Sequence, residues 1–394
     1  MRQGLTSRRS PRKEPRSSAG GPNIGGFHEA ARATVAVATP GSLPGGWIPF
    51  MSVVVGMSGG VDSAVSALLL KELGEDVIGV TLHFSQHSAC CDLTSTGRAK
   101  AQCEHLGIAW HNVDVRDAFD CQVVQPFWQA VVGGATPNPC VFCNERVKWQ
   151  GLLDVADELH ADLIASGHYA GIVHSGDGDQ ISRGMDGAKD QSYFLYRLSA
   201  EQRRRVLFPL AGRVKREVVA LASQWFNPDL LASRESQDLC FVQGPVGEEV
   251  RRRLLCVPGE IVLTNGTIIG KHQGLASYTV GQRSGLGVSA ASRLYVVEKR
   301  HVTNQLVVGL RSACMRDVFE AIDLKWQHLP TGKSRHFSAD VVTRYRSKPV
   351  KGSIDRVSED RISICLTESV FAVTPGQAVV FYDDRCILGG GTIV

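Results

Sequence analysis

The sequence predicts a doubly wound parallel α/β sheet followed by a β-rich second half, and three observations carry that prediction. Short apolar runs alternate with helical repeats from Met51 to about residue 170. A Gly-Gly turn closes the first of those runs and opens the first helix. Beyond about residue 245 the helical period gives way to short strands parted by Gly, Asn-Gly and Asp turns.

Taken in order, "SVVVGM" has the length of a buried strand, and "DSAVSALLLKEL" repeats apolar residues at helical spacing. "DVIGVTLHF" is the next strand, "TGRAKAQCEHLG" a helix and "AWHNVDV" a strand. "QGLLDVADELHA" is a helix that leads into the strand "DLIASGHY". Strands joined through helices of this length must run parallel, and such sheets take ligands beyond their carboxyl ends, where the Gly-Gly turn lies. The later strands are "PGEIVLTNGTIIG", "LYVVEKRHVTNQLVVG", "RISICLTE" and "FAVTPGQAVVFYDDRCILGGGTI", which read as a small linking domain and then a barrel. The expected division is a basic tail over 1–50, a catalytic domain over 51–243, a small central β-rich domain over 244–306 and a C-terminal β-barrel over 307–394.

Composition narrows the function. The chain has 394 residues, 43% hydrophobic and 21% charged, which are ordinary globular values. It lacks an apolar run of the roughly 20 residues that span a bilayer, so no membrane role is expected. The first 50 residues hold six Arg and one Lys against two Glu, a net of +5, which leaves −1 for the rest of the total of +4. Any nucleic-acid surface on the body must therefore be a local patch. Lys189, Arg344, Arg346 and the clusters Arg203–Arg205, Arg213–Arg216 and Arg251–Arg253 are expected to form it on one side. The tail, rich in Arg, Ser, Gly and Pro, reads either as an organellar transit segment or as an extension ahead of Met51. Eleven cysteines without a secretory apolar segment point to a reducing compartment, with a cytoplasmic location expected.

Two motifs carry chemistry. "GMSGGVDSAVS", between strand and helix, is an anion cradle: Gly59 and Gly60 allow close backbone approach, Ser58 and Ser63 offer hydroxyls, and the helix start presents free N–H groups. It lacks the Lys of the Walker loop. Asp62 is either a Mg²⁺ ligand or a carboxylate favoured by the helix dipole. The second motif is "TPNPCVFCNERVKW", which sets Cys140 and Cys143 in a Pro-rich turn ahead of a helix-like run.

The loop resembles that of the N-type ATP pyrophosphatases, which adenylate a carbonyl oxygen and release pyrophosphate. With "TPNPCVFCN", "ASGHYA", "KDQSYFLY", "SQDLCFV", "HQGLASYTVGQRSGLG" and "RYRSKPV…PGQAVVFYDD…LGGGTI" in this order, the chain from Met51 to Val394 is similar to the tRNA-specific 2-thiouridylase family. The resemblance implies ATP binding by Gly56, Met57, Ser58, Gly59, Gly60, Val61, Asp62 and Ser63, with Leu82 and Gly167 lining the adenosine pocket. It implies contact with the target uridine through Asn138, Pro139 and Cys140, and catalysis by Cys143 and the persulfide-carrying Cys240. It assigns His168, Lys189, Asp190, Gln191, Arg344, Tyr345 and Gln377 to tRNA, and a cysteine desulfurase or sulfur relay protein as donor to a monomeric enzyme.

Chemistry agrees with that pairing. A uracil carbonyl is a poor electrophile, so its oxygen must leave as AMP while a persulfide supplies sulfur and a second thiol releases it. One position departs from the family pattern: many members carry Asp where this chain has Cys140. Two sulfur routes therefore stay open. Cys140, Cys143 and Cys240 hold a [4Fe-4S] cluster with one open iron, or Cys143 and Cys240 form a persulfide–disulfide relay with Cys140 accessory. A structural zinc site usually wants four ligands, and no second C-x-x-C exists. Cys90 and Cys91, just after the second strand, are near enough to the site to be considered.

Overall fold

The computed structural model describes residues 51–84, 93–176, 178–231, 239–242, 244, 246–253, 256–329 and 335–394. The basic tail and the Cys90–Cys91 pair lie outside these.

The first half is built on strands β1 (Ser52–Gly56), β2 (Asp76–His83), β3 (Ala109–Asp114), β4 (Leu163–Ser166) and β7 (Val206–Leu207). They pair in the order β3-β2-β1-β4-β7, all parallel. Val53, Val54 and Val55 of β1 are fully buried, as a central strand covered on both faces requires. The order reverses between β1 and β4, which opens a crevice at their carboxyl ends. Helix α1 (Val61–Glu72) and α2 (Leu93–Leu106) cover one face, joined there by α6 (Lys215–Trp225).

Helical runs α3 (116–132) and α4 (139–158) serve the other face, and each contains a π segment, Asp120–Val124 and Asn144–Lys148. Such segments recur at functional sites because the extra residue re-aims the side chains that follow. The sequence sets the two cysteines in a turn ahead of a helix-like run that carries Glu145, Arg146 and Lys148, but the helix already starts at Pro139, whose fixed φ and missing N–H suit a first helical position. Cys140 and Cys143 consequently ride on the helix rather than in a turn before it. Short helices α5 (Ala200–Arg205), α7 (Pro228–Leu231) and α8 (Val246–Arg253) complete the described helices.

Strands β8 (Gly259–Leu263), β9 (Ile268–His272), β10 (Tyr295–Arg300) and β11 (Gln305–Gly309) form a four-stranded sheet in the order β10-β11-β8-β9. The C-terminal strands are β12 (Met315–Trp326), β13 (His336–Val342), β14 (Val350–Arg356), β15 (Arg361–Phe371), β16 (Ala378–Asp383) and β17 (Cys386–Ile393). They run in the order β12-β15-β14-β13-β16-β17, and β17 closes back on β12 to make a six-stranded barrel. Phe319, Ile354, Ile362, Val379 and Phe381 fill it. A hairpin of β5 (Ala170–Ser175) and β6 (Gly178–Arg183) leaves the first half and joins this sheet through Ser182 opposite Cys386. Among the described residues, no helix is long and apolar enough to cross a membrane.

Candidate active site

The phosphate loop is tied from both sides. The Met57 N–H donates to the Val80 carbonyl (2.7 Å), and Thr81 Oγ1 donates to the Met57 carbonyl (2.9 Å). The Ser58 N–H donates to Ser63 Oγ (3.2 Å), and Ser63 Oγ donates to the Gly60 carbonyl (3.0 Å). Gly59 has φ of +73° and lies so close to the Ser95 carbonyl that a Cβ would collide with it. Its own carbonyl accepts from Gln102 Nε2 (3.3 Å) and Arg98 Nε (3.4 Å). The loop is thus fixed with its exposed Ser58 at the mouth and the start of α1 behind it. The N–H groups of Val61, Asp62 and Ser63 precede the first intrahelical bond, Ala64 N–H to Gly60 O, and form the positive end of the helix.

Gly167 meets this helix start from β4. A Cβ on it would stand 2.7 Å from both Asp62 C and Ser63 N, so only glycine lets the end of β4 approach the start of α1 this closely. Asp62 is held by Lys215 Nζ at 2.8 Å from each carboxylate oxygen and accepts a hydrogen bond from the Tyr169 hydroxyl (2.8 Å). Lys215, the first residue of α6, escaped the sequence reading because it sits in a basic cluster indistinguishable from a solvated face. Leu82 is buried in one apolar cluster with Trp149 and Leu152 of α4, so it links β2 to the cysteine-bearing helix.

His168 follows Gly167. Its Nδ1 is 2.6 Å from Ser166 Oγ, and its ring lies 5.7 Å from that of Trp149. Burial, and then the nearby Lys148 charge, hold its pKa well below the ordinary imidazole value, so the neutral ring is favoured.

Cys143 and Cys240, remote in sequence, pack against one apolar cluster of Phe119, Val123 and Val147. That cluster lies where the two π segments meet, and Phe241, next to Cys240, is fastened there against Phe119 (5.9 Å) and Phe127 (5.2 Å). Cys140 is exposed near the start of α4, and its carbonyl accepts from Asn144 Nδ2 (2.9 Å). Among the described residues, no three His, Cys, Asp or Glu side chains are gathered as metal ligands. Cys140, Cys143 and Cys240 are therefore not arranged as a cluster's ligand set.

All three regions of the chain meet at the segment before the helix. His301, at the β10–β11 turn, lies against Gly134. The Thr136 N–H donates to the Pro375 carbonyl (2.8 Å), and Gln377 Nε2 donates to the Thr136 carbonyl (2.7 Å). Asn138 hydrogen-bonds Tyr193, whose hydroxyl donates to the Ala378 carbonyl (2.8 Å), and Pro139 is buried beside them. Tyr345 packs on Phe194 at 4.4 Å, with the Arg346 guanidinium 5.1 Å from the same Tyr345 ring. Arg344 is exposed at the same turn. Gln377 therefore braces the loop ahead of α4.

The other residues expected at tRNA divide. The Asp190 carboxylate accepts from the Gly184 and Ser192 N–H groups (3.1 Å each), and Gln191 Oε1 accepts from the Tyr169 N–H (3.0 Å). Both side chains fasten the chain to itself, while Lys189 sits in the turn beside them. The expected one-sided patch also loses members. Arg203 is buried and donates to the Leu198 and Asp179 carbonyls, Arg205 binds Asp157, and Arg252 and Arg253 pair with Glu249. Runs of like charge in sequence are dispersed here because successive helical residues face different neighbours.

Three family models tile the chain: the tRNA methyl transferase HUP domain over 51–244, the tRNA methyl transferase PRC-barrel domain over 248–310 and the aminomethyltransferase beta-barrel domain over 316–393. The tRNA-specific 2-thiouridylase MnmA of Geobacter metallireducens is 41% identical over 358 residues, which cover 86% of this chain and 96% of that one. That of Carboxydothermus hydrogenoformans is 37% identical over 361 residues, 86% and 97% respectively. The chain belongs to the tRNA-specific 2-thiouridylase family. It is accordingly a tRNA sulfurtransferase by family, and its parallel sheet, central β-domain and terminal barrel are the family's architecture. Among solved structures, the U34-tRNA thiolase NcsA from Methanococcus maripaludis with its [4Fe-4S] cluster overlaps 58% of this chain and 73% of its own, at 18% identity and a TM-score of 0.38. That overlap is too partial to bear on the sulfur route.

Proposed function

We propose that this chain uses ATP to replace the 2-oxygen of the wobble uridine of tRNA with sulfur, through a relay between Cys240 and Cys143. The observation that supports it most is that these two cysteines pack against one cluster, on segments bound to the crevice that holds the phosphate loop. The uracil O2 attacks the α-phosphorus of ATP, and pyrophosphate leaves toward the N–H groups at the start of α1. The terminal sulfur of a Cys240 persulfide attacks C2, and AMP departs with the former oxygen. The Cys143 thiolate then attacks Cys240 Sγ, forming a Cys143–Cys240 disulfide and leaving the outer sulfur on C2. An external thiol must reduce that disulfide before the next turnover.

The Asp62 carboxylate is a hard oxygen donor with lone pairs beyond those used by Lys215 and Tyr169, which suits Mg²⁺. Bound there, Mg²⁺ would neutralise phosphate charge; Lys215 itself supplies a cation at the same carboxylate.

The test incubates the purified chain with ATP, a tRNA transcript carrying U34, and cysteine with a cysteine desulfurase. Nucleoside mass spectrometry should find 2-thiouridine with one pyrophosphate per sulfur, lost in Cys143→Ser and in Cys240→Ser. Full activity in Cys240→Ser would overturn the relay, and thiolation lost in Cys140→Ala together with bound iron would restore the cluster route.

A further inference from the structure

Arg197 is almost fully buried, yet it belongs to neither the nucleotide site nor the cysteine pair. It lies between the catalytic helix and the terminal barrel. Its Nε donates to Glu145 Oε2 at 2.7 Å, two residues beyond Cys143 on α4. Its Nη1 and Nη2 donate to the two carboxylate oxygens of Asp323 at 2.9 and 3.1 Å, a forked pairing that only guanidinium makes. Nη1 also reaches the Asp323 carbonyl at 3.2 Å. The guanidinium stands 5.0 Å from the ring of Phe142, the residue just before Cys143, and Arg146 stands 4.8 Å from the same ring.

Asp323 is itself held in an unusual state. It has φ of +53°, at the irregularity where β12 passes from pairing with β15 to pairing with β17. A non-glycine residue in that conformation persists only where its surroundings over-determine it. Here the constraints include Arg197, carried by another part of the chain, and the Leu324 N–H bond to Asp360 Oδ1 (3.0 Å).

We propose that Arg197 is a positioning residue: it latches the cysteine-bearing helix to the barrel, so that barrel closure sets the rotation of α4 and hence the aim of Cys143. The latch acts on the helix within one turn of the thiol, at the π segment, where rotation is least fixed by regular hydrogen bonding. The barrel is in this sense part of the sulfur-transfer site although it supplies no reacting atom. The consequence for catalysis rests on the relay proposed above; the effect on Cys143 does not.

The experiment uses the full chain. Asp323→Asn keeps the shape and removes the charge from a half-exposed partner, and Glu145→Gln does the same on the helix side. Folding is checked by melting temperature, tRNA affinity by anisotropy, and Cys143 exposure by its rate of alkylation with iodoacetamide, followed by peptide mass spectrometry. Each variant is expected to alkylate at Cys143 severalfold faster and to lose about tenfold in kcat, as sub-ångström misplacement commonly costs, with the KM for tRNA within about twofold. The double variant should be no worse than either single one, because both break one latch. Unchanged alkylation in the folded variants would overturn the proposal, as would a rise in KM at constant kcat, which would make Asp323 a tRNA contact. Faster alkylation in the variants of a parent chain that itself makes no 2-thiouridine would keep the latch and reject the proposed thiolation.

Discussion

Replacing Gly167 with alanine tests how closely the two ends of the nucleotide crevice must meet. The new Cβ would lie 2.7 Å from Asp62 C and Ser63 N and 3.0 Å from Asp62 Cβ. The first two are backbone atoms of the opening turn of α1 and cannot rotate away. Against an ordinary closest contact of about 3.4 Å, β4 and α1 must part by about 0.7 Å. Overpacking of this kind costs about 1–3 kcal/mol, or a fall in melting temperature of about 5 °C for a domain of this size. The larger effect is expected on ATP, because the N–H groups proposed to receive its phosphates sit on the displaced turn. A loss of about ten- to a hundredfold in affinity follows from a shift approaching 1 Å, and calorimetric titration with ATP measures it. Gly97→Ala is the control: it lies in α2 with no atom near the added Cβ, and should stabilise by up to about 1 kcal/mol. A folded Gly167→Ala chain with unchanged ATP affinity would refute the shared crevice.

Lys215→Met removes a cation beside the proposed phosphate site and should raise the ATP concentration needed for half-maximal pyrophosphate release by about tenfold, the equivalent of roughly 1.4 kcal/mol, while lowering stability by no more than about 1 kcal/mol because the Lys215–Asp62 pair is partly exposed. Tyr193→Phe leaves the buried Ala378 carbonyl without its donor and should cost about 1–3 kcal/mol, read as a shift in the denaturation midpoint. The His168 pKa is lowered on folding, so the unfolded chain takes up the proton first. Its contribution is therefore fully present above about pH 6.5 and is lost as pH falls toward the folded value. The fall in midpoint between pH 7.5 and 5.5 should be smaller in His168→Asn than in the parent chain, and identical slopes would reject the assignment.

The parallel sheet was legible because β1, β2 and β4 are apolar enough to be covered on both faces and are separated by helical repeats. The loop from Gly56 to Ser63 was legible because glycine, serine and helix start occur together. Hidden from the sequence was the reach of α4. Pro139 and Asn138 read as turn residues, and only the buried Val141, Val147 and Trp149 make the helix continuous through the cysteines. Lys215 and Arg197 were equally hidden, since their partners Asp62 and Asp323 stand more than a hundred residues away and no local pattern reports them. Asp190 and Gln191 show the converse: polar residues in a recognisable motif are spent on backbone N–H groups that the fold would otherwise bury unpaired.

The β5–β6 hairpin bears on the order in which the chain can be assembled. Residues 170–183 emerge early in synthesis, but β17, the strand that β6 joins, ends at Ile393. Until β17 is made, the hairpin presents an unpaired strand edge, the kind of surface on which chains aggregate. A chain stopped short of residue 386 would carry that open edge permanently, and would also lack Ile387 from the core that the first half shares with the barrel.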